Sequence, residues 1–446
     1  MTHPISVDTL IEPQWIVPVV PDETVLGEHA IAIRDGRIVA LLPRAEARTQ
    51  FAAGRTIALP GHVVLPGLVN LHTHAAMSLL RGFADDLPLQ RWLGERIWPA
   101  EGQFVGPAFV RDGTELACLE MIDGGVTCFC DMYFHAEEIA QAALATGIRA
   151  AIGIPVLDFP TRYASSVGDY LAKGMAARDR HSGEATLSWC LAPHAPYSVS
   201  DAAFERIASL AAELDLPIHT HLHETAEEIR QGLAAHGCRP LARLERLGII
   251  GPRTILAHAV HLTDDERDLL ARHAASVAHC PVSNLKLASG IADMPALIRR
   301  NINWGLGTDG AASNNRLDIW QEMRLAALLA KVSADDASSA SAHEALHAAT
   351  LGGAKALGLD NEIGSIEVGK AADLCAVRLD DLLLQPCYDP VSHLVYVAGR
   401  EHVQAVWVAG KCLKYEGRLL AEGVAELRRR VELWHTRIAD SARPGI

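Results

Sequence analysis

The chain has 446 residues, of which 49% are hydrophobic, with nine cysteines and a net charge of −14 at pH 7. That length exceeds a typical single domain but suits one large (β/α)8 barrel with an appendage, and the apolar fraction is ample for a buried core. The acidic balance, with no Lys/Arg-rich block to offset it, argues against nucleic acid as a partner and points to a small molecule.

The N-terminal MTHPISVDTLIEP lacks a basic region followed by an apolar run, and no uninterrupted apolar segment reaches membrane-spanning length. The cysteines are scattered from Cys118 to Cys412 without a CxxC pair, which reads as reduced, core-packing thiol and not as a disulfide framework. A cytoplasmic protein without a membrane partner is expected.

Residues 1–62 alternate short apolar runs with turn signals. In AIAIRDGRIVAL, Asp35-Gly36 marks a hairpin turn between two strands. From Val63 the pattern becomes apolar strand, polar turn, amphipathic helix, repeated. Candidate strands lie at 63–71, 126–131, 148–153, 186–192, 216–221, 254–258, 276–280 and 302–308, the eight that a closed parallel barrel needs. Helical stretches such as 202–214 and 264–274 lie between them, so the alternation argues for βαβ units and an α/β fold.

Two more helices are expected at 316–332 and 342–358, with 335–342 as an exposed loop between them. The β signal returns at 363–377 and 402–420, and a last helix covers 424–440. The simplest assembly places 1–62 and 363–420 in one small composite β-sandwich, with the barrel of 63–362 inserted in it and 421–446 as a C-terminal helix and tail.

Several strands of the barrel end in metal-binding or titratable residues. His72 and His74, in VVLPGLVNLHTH, share side-chain parity on an extended backbone and can face one ion. His194 follows the fourth strand, His221 and Glu224 close the fifth, His258 the sixth and Asp309 the eighth. All fall at C-terminal strand ends, where barrels of this type carry their chemistry. Three imidazoles and a carboxylate with an open position suit a catalytic zinc, or iron, which makes hydroxide available near neutral pH. Glu224, just beyond its strand, can stand over the metal without ligating it and carry protons. On spacing alone His219, His221 and His223 are equivalent candidates for the ligand.

The ordered motifs PGLVNLHTH, APHAPYS, HTHLHET, LAHAVHL and LGTDGAASNN resemble the amidohydrolase superfamily, specifically its mononuclear aminohydrolase branch. The resemblance covers nearly the whole chain and implies a (β/α)8 barrel flanked by a composite β-sandwich. It implies metal ligation by His72, His74, His221 and Asp309, with the Glu at the third position after His221 selecting that histidine over its neighbours. Glu224 would shuttle a proton to a ring nitrogen of the substrate, Asp309 would take the proton from water, and His258 would hold or polarise that water. Binuclear members carry a carboxylated lysine after strand 4, where this chain reads LAPHAP, so one divalent ion per chain is expected: zinc, with iron or manganese as alternatives. His261 and His279 are expected to pack or hydrogen-bond near the site, and His135 has no assigned role.

The stretches SLLRGFADDLPLQRWLGERIWPAE, DMYFHAEEIA and GTDGAASNNRLDIWQEMR are similar to the methylthioadenosine/S-adenosylhomocysteine deaminases of this branch. The resemblance implies that Glu101 binds ribose hydroxyls and His194 contacts the substrate, so that Glu101, His194, Glu224 and Asp309 form the substrate-binding set. The implied reaction converts 5′-methylthioadenosine to 5′-methylthioinosine and ammonia, with S-adenosylhomocysteine or adenosine as further substrates. Arg149 and Arg162 are candidates, by neighbourhood only, for a homocysteine tail, while Trp92 and Trp98 read as core. The alternatives are another azine, such as guanine or an s-triazine, and a non-catalytic assembly protein on the same fold, against which the intact ligand set argues. A homo-oligomer is compatible with all of these readings.

Overall fold

A computed structural model describes residues 3–442; residues 1–2 of the expected N-terminal segment and 443–446 of the expected tail lie outside the described residues. Eight parallel strands follow one another in chain order around a sheet: Leu68–Thr73, Val126–Met132, Arg149–Val156, Leu187–Pro193, Ile218–Leu222, Thr254–His258, Ser276–His279 and Trp304–Leu306. They correspond to the eight strands expected from the sequence, except that the first begins at Leu68 and not at Val63.

The first and eighth strands meet through side chains and single backbone bonds. Asn70 accepts from the Thr308 amide at 3.0 Å and donates to Thr308 Oγ1 at 2.8 Å, and the Asp309 amide donates to the His72 carbonyl at 2.9 Å. This closure sets the two ligand-bearing strand ends side by side. Gly307 allows the approach, because a Cβ there would stand 2.8 Å from His72 Cβ.

A second, nine-stranded mixed sheet joins both ends of the chain. Its long strand Phe51–Pro66 runs parallel to Ile5–Ile16 on one side and antiparallel to Leu374–Arg378 on the other. The expected strand 63–71 is therefore two strands in two sheets. Gly67 stands between them, its amide bound to the Asp373 carbonyl at 2.9 Å. Pro66-Gly67 marks this break in the sequence, and the apolar runs on either side, with Val63–Leu65 and Leu68–Val69 all fully buried, each belong to their own sheet. The hairpin His29–Arg34/Arg37–Pro43 turns at Asp35 and Gly36, which both adopt positive φ. Of the expected 363–377 segment only Leu374–Arg378 is strand, whereas 402–420 yields Val403–Val408, Lys411–Tyr415 and Arg418–Leu419.

Helices cover the barrel. Asp201–Leu214 starts at Ser200, whose hydroxyl accepts from Ala203 N, and Asp264–His273 starts with a reciprocal Thr263/Glu266 capping box. Ile319–Ala334 follows the eighth strand. The helix expected at 342–358 runs from Ala342 to Ala356 with a widened turn at Ala348–Gly352, where Gly352 lies so close to Trp304 that a Cβ would meet its carbonyl at 2.2 Å. The last helix, Val424–Ala442, packs on Pro107–Asp123, with Trp434 against Phe109 at 5.3 Å and its indole donating to Asp112 at 2.8 Å. Among the described residues no helix is long and apolar enough to cross a membrane.

Candidate metal and substrate site

At the C-terminal end of the barrel the side chains of His72, His74, His221, His258 and Asp309 converge. Asp309 Oδ1 lies 3.5 Å from His72 Nε2 and 3.3 Å from His74 Nε2, and ligand atoms of His72, His221 and His258 lie within 4.8 Å of one another. The far ring nitrogens are held by acceptors. His74 Nδ1 donates to the Met132 carbonyl and His221 Nδ1 to the His194 carbonyl, each at 2.6 Å. A carbonyl can only accept, so both rings carry their proton on Nδ1 and present a lone pair on Nε2 to the cluster. His72 Nε2 is buried and has no hydrogen-bond partner among the described residues. Several converging lone pairs, one of them buried without a hydrogen-bond partner among the described residues, fit a cation, and the mixed nitrogen and carboxylate donor set suits a divalent ion such as zinc.

Asp309 is held on both oxygens. Oδ2 accepts from Ser283 at 2.6 Å and Ser313 at 2.7 Å, and Oδ1 from the Gly310 amide at 2.7 Å. Burial opposes its charge, but the close approach of the His72 ring, with His74 and His258 beside it, holds its pKa well below the ordinary carboxylate range. Asp309 and His258 both adopt left-handed backbone, φ 60° and 72°, a strain of the kind that collects at functional strand ends.

Glu224 stands beside this cluster, its Oε2 3.9 Å from His258 Nε2 and its Oε1 3.4 Å from the Ser289 hydroxyl. Burial, followed by the Asp309 charge among the raising influences, pushes its pKa up, which suits a group that must hold and release a proton. Its backbone is pinned from behind, since the His223 and Glu224 amides both donate to the Glu228 carboxylate at 2.9 Å. For His258 burial acts downward, but the carboxylates of Glu224 and Asp309 outweigh it and the pKa rises; Nδ1 donates to Asn284 Oδ1 at 2.8 Å.

The three strand-5 histidines separate. His221 faces the cluster. His219, two residues deeper, reaches His72 from below with its Nε2 3.0 Å from His72 Nδ1. His223 leaves the strand with φ 51°, which breaks the parity and carries its ring toward Glu266, 3.6 Å away. His261 bonds the Ser289 carbonyl at 2.7 Å, and His279 is buried near Trp304. His135 caps the helix Ala136–Thr146 in left-handed backbone and packs on Tyr163 at 4.7 Å.

A cavity of about 270 Å³ opens from the cluster toward solvent, and Glu101, His194, Glu224 and Asp309 all line it. Glu101 accepts from the Tyr133 hydroxyl at 2.7 Å; burial raises its pKa and that bond opposes the rise. His194 is drawn down to about 3 by burial and the neighbouring His74 and His72, and so stays neutral, with Nδ1 2.8 Å from Ser198 Oγ. Trp92 and Trp98, read from the sequence as core, both line the cavity; Trp98 is 42% exposed and meets Phe159 edge-on at 6.4 Å across the mouth.

The two candidate arginines also part. Arg149 begins the third strand, at the opposite end of the barrel from the cavity, and is locked to Asp373 by bonds of 2.9 and 3.1 Å, with both side chains buried. It is not available to a ligand. Arg162 lines the cavity mouth, bonds the Gln103 carbonyl and has no carboxylate partner among the described residues. Among the described residues no lysine lines the cavity. Ser283 and Asn284 escaped the sequence reading, since single polar residues beside motifs carry no spacing signal; Tyr133 stood inside DMYFHAEEIA and Ser313 inside GTDGAASNN without being singled out.

The chain matches the model of the amidohydrolase family over residues 63–413. It is 44% identical over 441 residues to a 5-methylthioadenosine/S-adenosylhomocysteine deaminase of Teredinibacter turnerae, covering 98% of this chain and 99% of the relative. It superposes on the crystal structure of an adenosine deaminase from Xanthomonas campestris with bound zinc at TM-score 0.97 and 48% identity, covering 98% and 100% of the two chains. An atrazine chlorohydrolase from Arthrobacter aurescens complexed with zinc follows the same fold at TM-score 0.88 and 25% identity, covering 96% and 100%. Barrel, strand-end cluster and matched length agree, and the chain belongs to the amidohydrolase family.

Proposed function

We propose that the protein hydrolytically deaminates adenine nucleosides, converting 5′-methylthioadenosine to 5′-methylthioinosine and ammonia, and that S-adenosylhomocysteine and adenosine are further substrates. The observation that carries this reading is that one cavity is lined both by the His/Asp cluster and by Glu101, a carboxylate braced by Tyr133 and free to accept from two ribose hydroxyls. His72, His74, His221 and Asp309 would hold a single divalent ion, zinc being the reading favoured by the donor set and by the zinc-bound relatives. Such an ion supplies Lewis-acid activation of water near neutral pH.

The chain's own residues divide the rest of the work. Asp309, held ionised, receives the proton of the attacking water. His258 orients that water from the sixth strand. Glu224 delivers a proton to the ring nitrogen beside C6, so that addition at C6 leaves no negative charge on the purine, and the amino group departs as ammonia once protonated. His194, neutral and next to His221, offers a ring nitrogen to the base. The apolar mouth formed by Trp98 and Phe159 suits a thioether at the 5′ position, and Arg162 would pair with the carboxylate of a homocysteine tail.

The test is ammonia release from 5′-methylthioadenosine, S-adenosylhomocysteine, adenosine, guanine and melamine by purified protein. Higher kcat/KM on a nucleoside than on either free base supports the reading. Faster turnover of guanine or melamine than of every adenine nucleoside would overturn the substrate assignment and leave the metal site standing.

A further inference from the structure

Of the histidines proposed as ligands, His72 differs in how its far nitrogen is held. His74 and His221 rest on backbone carbonyls, whereas His72 Nδ1 faces another imidazole, His219 Nε2, at 3.0 Å, and His219 Nδ1 in turn lies 3.4 Å from Cys130 Sγ. His72 and His219 are both fully buried, so water cannot replace either partner. A carbonyl fixes the tautomer of its histidine, but an imidazole can donate or accept and must itself be fixed.

Only one proton arrangement leaves His72 Nε2, which has no hydrogen-bond partner among the described residues, with a lone pair facing Asp309 and the other ligands. His72 must carry its proton on Nδ1 and donate it to His219 Nε2. His219 must then carry its own proton on Nδ1, where Cys130 Sγ is the acceptor. The reverse arrangement would put an N–H on His72 Nε2, aimed at the cation position. Cys130, His219 and Cys190 have metal-capable atoms within 4.8 Å of one another. A hydrogen bond with Cys190, and then burial, push the Cys130 thiol well above the usual range, so it serves as a neutral acceptor and not as a thiolate ligand.

We propose that His219 is a positioning residue for the metal site: it selects the Nδ1–H tautomer of His72 and orients its ring, with Cys130 as the last member of the relay. The inference rests on the metal site proposed above. Outer partners of ligating histidines are worth roughly 10- to 100-fold in metal affinity.

The experiment compares Zn2+ affinity, by chelator competition, and the absorption spectrum of the Co2+-loaded protein in wild type, His219→Met and His219→Gln. Methionine keeps the bulk and puts a thioether, a much weaker acceptor, in place of the imidazole nitrogen; glutamine keeps an amide acceptor for His72 and a donor for Cys130. His219→Met is expected to bind Zn2+ about 10- to 100-fold more weakly and to shift the Co2+ bands, with His219→Gln recovering to within about threefold of wild type. Equal affinities in all three, or equal loss in Met and Gln, would overturn the relay. Wild-type protein that bound no Zn2+ would instead remove the metal site itself. As a reading independent of any variant's folding, histidine-labelled wild-type holoprotein is expected to show a 15N–15N coupling across the His72–His219 bond, and its absence would also overturn the inference.

Discussion

Replacing Glu101 by alanine separates nucleoside chemistry from chemistry on a free base. Glu101 lines the cavity, accepts one bond from Tyr133 at 2.7 Å, and has acceptor capacity left for two hydroxyls of a ribose. Hydrogen bonds to a charged group contribute about 1.5–3 kcal/mol each. Water admitted in place of the side chain would recover part of this, so the lower limit is about one bond, or roughly tenfold. Loss of two bonds at the smaller figure is about 3 kcal/mol, somewhat over a hundredfold at about 1.4 kcal/mol per decade. Steady-state ammonia release should therefore show kcat/KM for 5′-methylthioadenosine falling by about ten- to several-hundred-fold, with turnover of free adenine, which has no ribose, unchanged and metal content intact. Tyr133→Phe, which leaves the carboxylate but not its brace, should cost about three- to tenfold on the same substrate. Glu101 does not bind the ribose if Glu101→Ala stays within twofold of wild type on the nucleoside, or if it lowers adenine turnover by the same factor.

Glu224→Gln should retain metal, as read by elemental analysis, yet lose at least roughly a hundredfold in kcat, the usual scale for a general acid–base group, whereas His221→Ala should lose the metal. With no lysine among the described residues lining the cavity, metal analysis should find about one divalent ion per chain in active protein, and chelation should abolish activity that zinc, iron or manganese restores; two equivalents would reject a mononuclear site. Arg149→Met strands the buried Asp373 carboxylate and should lower unfolding stability by about 3–5 kcal/mol in denaturant titration while leaving kcat/KM of the folded protein within about twofold. Burial raises Glu228 to about 7 from an ordinary 4.5, so the native state holds more protons than the unfolded state between those values; stability from this group is present below about pH 4.5 and is lost as pH rises toward 7, and Glu228→Gln should flatten the melting temperature across that window.

The sequence by itself determined the barrel, its eight strands and the strand-end placement of His72, His74, His221, Glu224, His258 and Asp309. Both follow from local rules: apolar runs of strand length alternate with amphipathic helices, and a polar residue closing a buried strand must meet solvent, a ligand or another polar group. Pro66-Gly67 marks a break within Val63–Leu71, but the same local rules could not assign the two apolar runs to different sheets, because each run is buried in its own. Nor could they rank the strand-5 histidines. Parity made His219, His221 and His223 equivalent, and the differences came from a left-handed φ at His223 and from depth in the barrel, which made His219 a partner of His72. Tertiary closure alone decided that Arg149 would bind Asp373, more than 200 positions away, while Arg162 reached the cavity mouth. It also decided that Trp98 would be a cavity wall. Burial, partner and orientation depend on contacts between residues distant in the chain, and those exist only once the barrel has closed and the two ends of the chain have joined beside it.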